Sequence, residues 1–422
     1  MKSIAEIAAQ LQGYDPQALE AAAVNDFLAR LVEPLAEVEE VAILDALDRV
    51  LARDIISPIS VPPHDNSAMD GYAFDGAQLQ PDAPLTVEVV GTALAGKAWR
   101  GNPRSGQAVK IMTGAIMPDG LDTVVPQEFT KESGDGRVVI PAGVVRAGDN
   151  RRLKGEDLRE GSPALQRGEH LRPAACGLVA SLGMATVPVV RKLRVAFFST
   201  GDEILSVGDA PREGAVYDSN RYTVSGLLRR LGCEAIDLGV VRDEPALLET
   251  AFRDAAARAD AIVTSGGVSV GEADYTKAMM KQLGDVAFWK IAMRPGRPMA
   301  VGRIGRSILF GLPGNPVAVM VTFLAFVRPA LLRMMGSTAA ALPLLKARSQ
   351  EPIRKKAGRT EYQRGRVSTA ADGSLQVRTT GNQGSGVLSS MVQANGLIVL
   401  HHRQGNVGVG DDVDVMMFEG VI

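Results

Sequence analysis

The chain has 422 residues, with 46 Lys plus Arg against 48 Asp plus Glu for a net charge of −2. That length calls for several domains rather than one core, and so even a charge balance gives no support for general binding of nucleic acid or an anionic membrane. Two cysteines, Cys176 and Cys233, with no Cys or His at metal spacing, read as buried, reduced thiols of a cytoplasmic protein.

The N-terminus, MKSIAEIAAQLQGYDP, carries Glu6 and Gln10 where a signal peptide needs an apolar core, and no uninterrupted apolar stretch reaches spanning length. Neither secretion by a cleavable signal nor a membrane span is expected. Phe27, Leu28, Leu31, Val32 and Leu35, then Val41, Leu44, Leu47 and Val50, recur at helical spacing and predict two helices separated near Pro34. From 58 to 188 the texture changes to Pro and Gly punctuation between brief β-rich runs such as Leu85–Val90 and Val138–Ile140, as in one or two small β-rich domains. There VPPHDNSAMDGYAF carries Asp65, Asn66, Ser67 and Asp70 on a polar loop too long for a simple turn. IMTGAIMPDG adds Thr113, and KGEDLREG adds Glu156 and Asp157. Spacing alone does not connect these to a ligand.

From Leu193 to Gly336 the pattern is strand, loop, helix, repeated. RVAFFSTGDE reads as a buried strand delivering Ser199, Thr200, Gly201, Asp202 and Glu203, and Ser219 or Asn220 can cap the helix RYTVSGLLRRL, which stops at Gly232. CEAIDLGVV is the next strand, followed by Asp243; Pro245–Ala257 is a helix and Asp260–Thr264 a third strand. Such alternation predicts a doubly wound parallel sheet with ligands beyond the carboxyl ends of its strands. The third strand opens into SGGVSVGEADYTK, where Gly266 and Gly267, after Ser265, can turn backbone amides toward a phosphate. Glu272, Asp274 and Lys277 follow.

Carboxylates at three successive strand ends, Asp202 and Glu203, then Asp243, then Glu272 and Asp274, suit magnesium, which takes one or two carboxylates together with phosphate oxygens and water. Asp243 equally suits the cap of the helix begun near Pro245. WKIAMRPGRPMAVG then sets Lys290, Arg294 and Arg297 around a Pro-Gly turn between strands, where cations can fork onto an oxyanion. In GLPGNPVAVMVTF, after Pro313 and Gly314, Asn315 is the expected N-cap with Pro316 at the first helical position, leaving backbone amides pointing outward. Short β runs return after 341, including Gly396–Leu400 and Asp412–Met417, and predict a small β-barrel or sandwich. The four histidines offer no zinc pattern, and His401 and His402 in a strand would face opposite ways. The fold class expected is multidomain α/β: a doubly wound parallel-sheet domain, a β-rich lobe and a small C-terminal β-barrel.

SAMDGYA, IMTGA, GEDLREG, STGDE, SGGVSVGEADYTK, MRPGRPMA, LPGNP and TGNQGSG stand here in the order found in the molybdenum insertases. Over residues 24–417 the chain resembles that family, the MoeA and gephyrin E-domain family. The resemblance implies N-terminal helices (1–37) packing on an α/β molybdopterin-binding domain (189–340), a linking domain from 38–57 and 160–188, a β-rich lobe (58–159) and a C-terminal β domain (341–422). It further implies an L-shaped homodimer that converts adenylyl-molybdopterin and molybdate to molybdenum cofactor and AMP, with Mg2+ required. A molybdopterin adenylyltransferase and recipient molybdoenzymes are the protein partners it suggests.

Residue by residue, the resemblance puts Glu203, Asp243 and Asp274 at the magnesium. Ser199, Thr200, Ser265, Gly266, Gly267 and Ser269 then lie on the substrate, Ser269 with Asp274 near the adenylate phosphate. Lys290, Arg294 and Arg297 match the family's cationic loop, Pro313, Gly314 and Asn315 its second loop, and Arg364 with Ser385 its molybdate end. Asp70, Thr113 and Asp157 match functional positions of the other lobe and are expected to reach the site across the dimer. Two departures stand out: Ala318 where many relatives carry Ser, and Arg294 and Arg297 where relatives often carry Lys. Competing readings are an adenylyltransferase, which lacks SAMDGYA and the C-terminal β domain, a non-catalytic scaffold, and a nucleotide hydrolase.

Overall fold

The structure is a computed structural model, and it describes residues 3–11, 13–268, 275–339 and 341–418. At its centre is a six-stranded sheet in the order Glu234–Val241, Arg194–Thr200, Ala261–Ser265, Ser307–Leu312, Pro298–Ile304, Gly284–Lys290. Successive residues of the Arg194–Thr200 strand face opposite ways, as strand geometry demands. Val195 and Phe197 join Val263, Phe310 and Leu312 in one buried cluster, whereas Ala196 and Phe198 join Ile262 and Leu309 in another. A sheet buried on both faces is what the near-continuous apolar runs require.

The first four strands pair in parallel, but Pro298–Ile304 runs antiparallel to both of its neighbours, so the sheet is mixed rather than wholly parallel. The reason is local. Ile304 pairs with Ser307 across Gly305, whose φ of 59° permits a two-residue hairpin, and a hairpin joins antiparallel neighbours. Helical residues Pro316–Met334, a run of 19 that is long and apolar enough to cross a membrane, contain an 18-residue window that is 83% buried inside this domain. The predicted strands and helices of this region lie at Arg194–Thr200, Ser219–Arg230, Glu234–Val241, Pro245–Arg258 and Ala261–Ser265. Asp218, however, not Ser219 or Asn220, is the N-cap, its carboxylate accepting from the Arg221 amide at 3.0 Å.

The second N-terminal helix is not formed. Ala21–Leu31 is helical with Val24, Phe27, Leu28 and Leu31 buried, but Val38–Ala42 is a strand paired antiparallel with Thr186–Val190. Leu44, expected on an apolar helix face, is 93% exposed. The helical spacing past Pro34 was outweighed by a cross-strand partner far along the chain, which no local pattern reveals.

Ile55–Ile56 pairs with Pro163–Leu165 and Asn66–Ser67 with Arg151–Arg152, so the chain zips together where it enters and leaves the β-rich lobe. The lobe itself is a six-stranded sheet with Tyr72, Phe74, Val87 and Val138 on one buried face and Val109, Ile111 and Val124 on the other. At the C-terminal end, Thr360–Thr369 pairs with both Leu375–Thr379 and Gly396–Leu400, which closes five strands into a barrel. His401 and His402 follow the Gly396–Leu400 strand, and His401 is tied to Asp414 at 2.6 Å. Both cysteines are free; Cys233 is buried, and burial pushes its thiol up to about 12.

His170 joins the linking segment to the sheet domain through Ser337 at 2.7 Å. Burial first, and then Arg172, hold its pKa below the ordinary value. The unfolded chain therefore takes up the proton first, at about 6.5. Stability contributed by neutral His170 is present above that pH and is lost as pH falls through the lower folded value. His170→Gln is expected to flatten this limb of a pH series of unfolding midpoints; an unchanged slope between about pH 6.5 and the acid limb would rule the assignment out.

Candidate active site

The carboxyl ends of the parallel strands deliver their loops to one edge of the sheet, as the topology dictates. Thr200, Gly201 and Glu203, then Asp243, Ser265, Gly266 and Gly267, and finally Pro313, Gly314 and Asn315 line a single cavity of about 1020 Å³. Arg294 and Ala318 also line it, as do Gln383, Gly384, Ser385 and Gly386 from the C-terminal barrel. Two domains therefore share the cavity.

Glycine is required at the phosphate-loop positions. A Cβ on Gly266, whose φ is 92°, would meet the Thr200 carbonyl oxygen at 2.5 Å, and one on Gly267 would meet Thr276 at 2.4 Å. Thr276 holds the opposite side of the loop: its hydroxyl donates to Asp243 Oδ1 at 3.0 Å and lies 3.4 Å from Thr200 Oγ1. Asp243 does not cap the following helix, since the N-cap is Glu244 and has no side-chain bond. Of the two open readings, only that of a cavity-facing carboxylate agrees with this geometry. Ser269 and Asp274, together with Glu272, lie outside the described residues.

Ser199 is not on the cavity. It is buried beneath it, bonded at 2.9 Å to both Asp218 Oδ1 and Ser265 Oγ, and so ties two strand ends to a helix N-terminus. Of the cationic loop only Arg294 lines the cavity, while Lys290 and Arg297 are exposed and do not. The N-terminal segment crosses this loop. The Lys290 amide donates to Pro16 O and the Ala292 amide to Leu19 O, both at 2.8 Å, and the Trp289 indole donates to the Tyr14 hydroxyl at 2.8 Å. Met293–Arg294 then pairs in parallel with Thr360–Glu361, which stitches the loop to the barrel edge.

Asn315 is the N-cap, with Pro316 following, yet its side chain caps nothing and donates instead to Ser385 Oγ at 3.0 Å. The Val317 amide is taken by Ser385 O at 3.1 Å, so one amide expected to face an anion is already satisfied within the chain. Arg364, expected near the oxyanion, is 1% exposed and absent from the cavity wall. Its Nε donates to Ser390 Oγ at 2.9 Å and its Nη2 to Gly384 O at 3.0 Å, fixing the loop that presents Ser385. Burial, then neighbouring Arg294, pull its pKa down to about 10, which leaves it charged at neutral pH and makes this corner electropositive.

Asp70, Thr113 and Asp157 lie in the β-rich lobe, exposed and away from the cavity wall of this chain. The Thr113 amide and hydroxyl both donate to Asp70 Oδ1 at 2.7 Å and hold that carboxyl below its usual range. Asp65, from the same polar loop, serves the lobe itself by accepting the Lys154 amide at 2.7 Å and pairing with Arg151. Residues that the motifs left out include Val216, Tyr217, Asp218 and Asn220, all on the cavity wall. Asn220 Nδ2 donates to Gly314 O at 2.7 Å and so fixes the LPGN loop. The YDSN run was legible only as a helix cap.

Three family models match in chain order: MoeA N-terminal region (domain I and II) over residues 18–183, a probable molybdopterin binding domain over 196–333, and MoeA C-terminal region (domain IV) over 346–418. A molybdopterin molybdenumtransferase of Haemophilus influenzae is 42% identical over 387 residues, covering 92% of this chain and 95% of that one. One from Bacillus subtilis is 34% identical over 388 residues, covering 90% of each. The crystal structure of a molybdopterin biosynthesis moeA protein from Pyrococcus horikoshii superposes with a TM-score of 0.81 at 26% identity, covering 95% of this chain and all of that one, 100%. With matched domains running from residue 18 to 418, this chain belongs to the MoeA family.

Proposed function

We propose that this chain is a transferase of molybdenum cofactor biosynthesis that takes adenylyl-molybdopterin and molybdate, inserts molybdenum and releases AMP. The observation that carries the reading is the shared cavity: a glycine loop with carboxylates on one wall, and Arg294 with the Ser385 loop of the barrel on the other. The first wall suits a phosphate and the second a tetrahedral dianion, which calls for fixed cations and hydroxyls. Arg294 can fork onto such an oxyanion, so replacement of the relatives' Lys is compatible with capture. Buried Ala318 offers no hydroxyl there, which leaves Ser385 and Asn315 as polar donors of that wall.

Magnesium is the metal we propose. Among the described residues no group of three or more His, Cys, Asp or Glu could hold a metal. Magnesium does not need one, because substrate phosphates and water complete its shell, and Asp243 with Glu203 beside the glycine loop fits that mode. Bound there, it would neutralise phosphate charge as AMP departs. A homodimer is proposed because Asp70, Thr113 and Asp157 stand away from the cavity of their own chain, and a cytoplasmic location because both thiols are unpaired.

Incubation with adenylyl-molybdopterin and magnesium, with and without molybdate, tests the reading. AMP release that requires molybdate, and product that activates a cofactor-free molybdoenzyme, is expected. AMP release independent of molybdate would favour a hydrolase, and no release at all would overturn the transferase reading.

A further inference from the structure

The anion-binding groups account for only part of the cavity. Its volume of about 1020 Å³ is that of a site for a sizeable organic ligand rather than for an oxyanion alone. Beside its glycines, hydroxyls and carboxylates the wall carries Val268, Ala318 and the prolines of the two loops. Ile204, Val216 and Tyr217 form an apolar flank, and Tyr217 is the one aromatic side chain among the described residues lining the cavity.

The flank is built as a unit. Ile204–Leu205 and Val216–Tyr217 form a two-stranded parallel ribbon, in which the Val216 amide donates to Glu203 O at 2.8 Å and the Asp218 amide to Leu205 O at 2.9 Å. The same ribbon therefore carries the proposed magnesium ligand Glu203 at one end and Tyr217 at the other. Tyr217 remains 45% exposed and Val216 57%, although both adjoin a buried helix N-cap. The Tyr217 hydroxyl donates to Asp209 O at 2.8 Å, which fixes the phenol edge and leaves the ring faces free of that bond.

We propose that Tyr217 is a stacking platform for a planar, nitrogen-rich heterocycle of the substrate. This rests on the transferase reading, whose adenylylated substrate carries two such rings, adenine and pterin. A flat π-face against an aromatic ring gains stacking free energy without reading hydrogen-bond patterns, and the gain is lost when the ring is removed. Tyr217 then fixes the orientation of a ligand whose phosphate is held by the glycine loop.

The test titrates AMP, neopterin monophosphate and inorganic phosphate separately into the wild type, Tyr217→Phe, Tyr217→Leu and Tyr217→Ala. For whichever ring the platform holds, Tyr217→Ala is expected to weaken binding about tenfold or more. Tyr217→Leu, which keeps bulk without a π-face, should also weaken it, and Tyr217→Phe should stay within about twofold. Phosphate alone, which engages only the glycine loop, should bind alike throughout. Selective loss for AMP assigns the platform to adenine, and selective loss for the pterin assigns it to pterin. In turnover, the KM for the adenylylated substrate should rise in Tyr217→Leu while that for molybdate stays put. Wild-type affinity for both ring ligands in Tyr217→Ala and Tyr217→Leu would overturn the platform while leaving the transferase reading standing. If the wild type turns over no adenylyl-molybdopterin and binds neither ring, the transferase reading fails and the platform with it.

Discussion

Asp243→Asn is expected to keep the fold and lower AMP release by about tenfold to a hundredfold, the cost of one lost charge-assisted contact. The fold survives because, among the described residues, the one side-chain bond of Asp243 is that accepted from Thr276 at 3.0 Å, which an asparagine carbonyl oxygen can also accept. What disappears is the negative charge facing the phosphate end of the cavity. A neutral amide is a poor magnesium ligand, so the apparent magnesium requirement should shift to higher concentration. AMP release measured across a magnesium titration checks this. Unfolding midpoints at the wild-type value with normal turnover at every magnesium concentration would remove Asp243 from the metal site.

The strand ends were legible because two signals coincide there: apolar runs of strand length stop abruptly, and Gly or Pro follows. Thr200, Ser265, Gly266 and Pro313 were found that way, and all line the cavity. Side-chain direction at a strand end was not legible. Ser199 and Thr200 are neighbours in sequence, yet only Thr200 reaches the cavity, while the Ser199 hydroxyl joins Asp218 and Ser265 below it. Charge spacing misled for a related reason. Lys290, Arg294 and Arg297 share one turn, but the N-terminal segment binds the backbone at Lys290, and Arg294 alone is aimed into the cavity by its pairing with the barrel. Arg364 illustrates the remaining gap: a cation predicted to touch an anion instead holds, from within, the loop that presents Ser385. Such assignments depend on contacts between segments distant in sequence, which motif order does not encode.

Mixing an inactive Asp157→Ala dimer with an inactive Asp243→Ala dimer should restore activity if each site draws on both chains. Asp157 is the better lobe variant than Asp70, whose carboxylate braces Thr113 and whose loss would also disturb the lobe. The Asp157 carboxylate is exposed, and among the described residues it has no hydrogen bond or ion pair. Such a solvent-exposed carboxylate is free to serve the cavity of a second chain in the proposed homodimer. With a two-fold axis, one site of a heterodimer combines Asp157 and Asp243 from unmutated segments, and the other carries both losses. Random exchange makes about half the dimers heterodimeric, so AMP release should approach roughly a quarter of the wild-type value. Subunit exchange is verified by native mass spectrometry on differently tagged chains. Heterodimers that form in the expected proportion and remain as inactive as their parents would place Asp157 in service of its own subunit and remove the argument for a shared site.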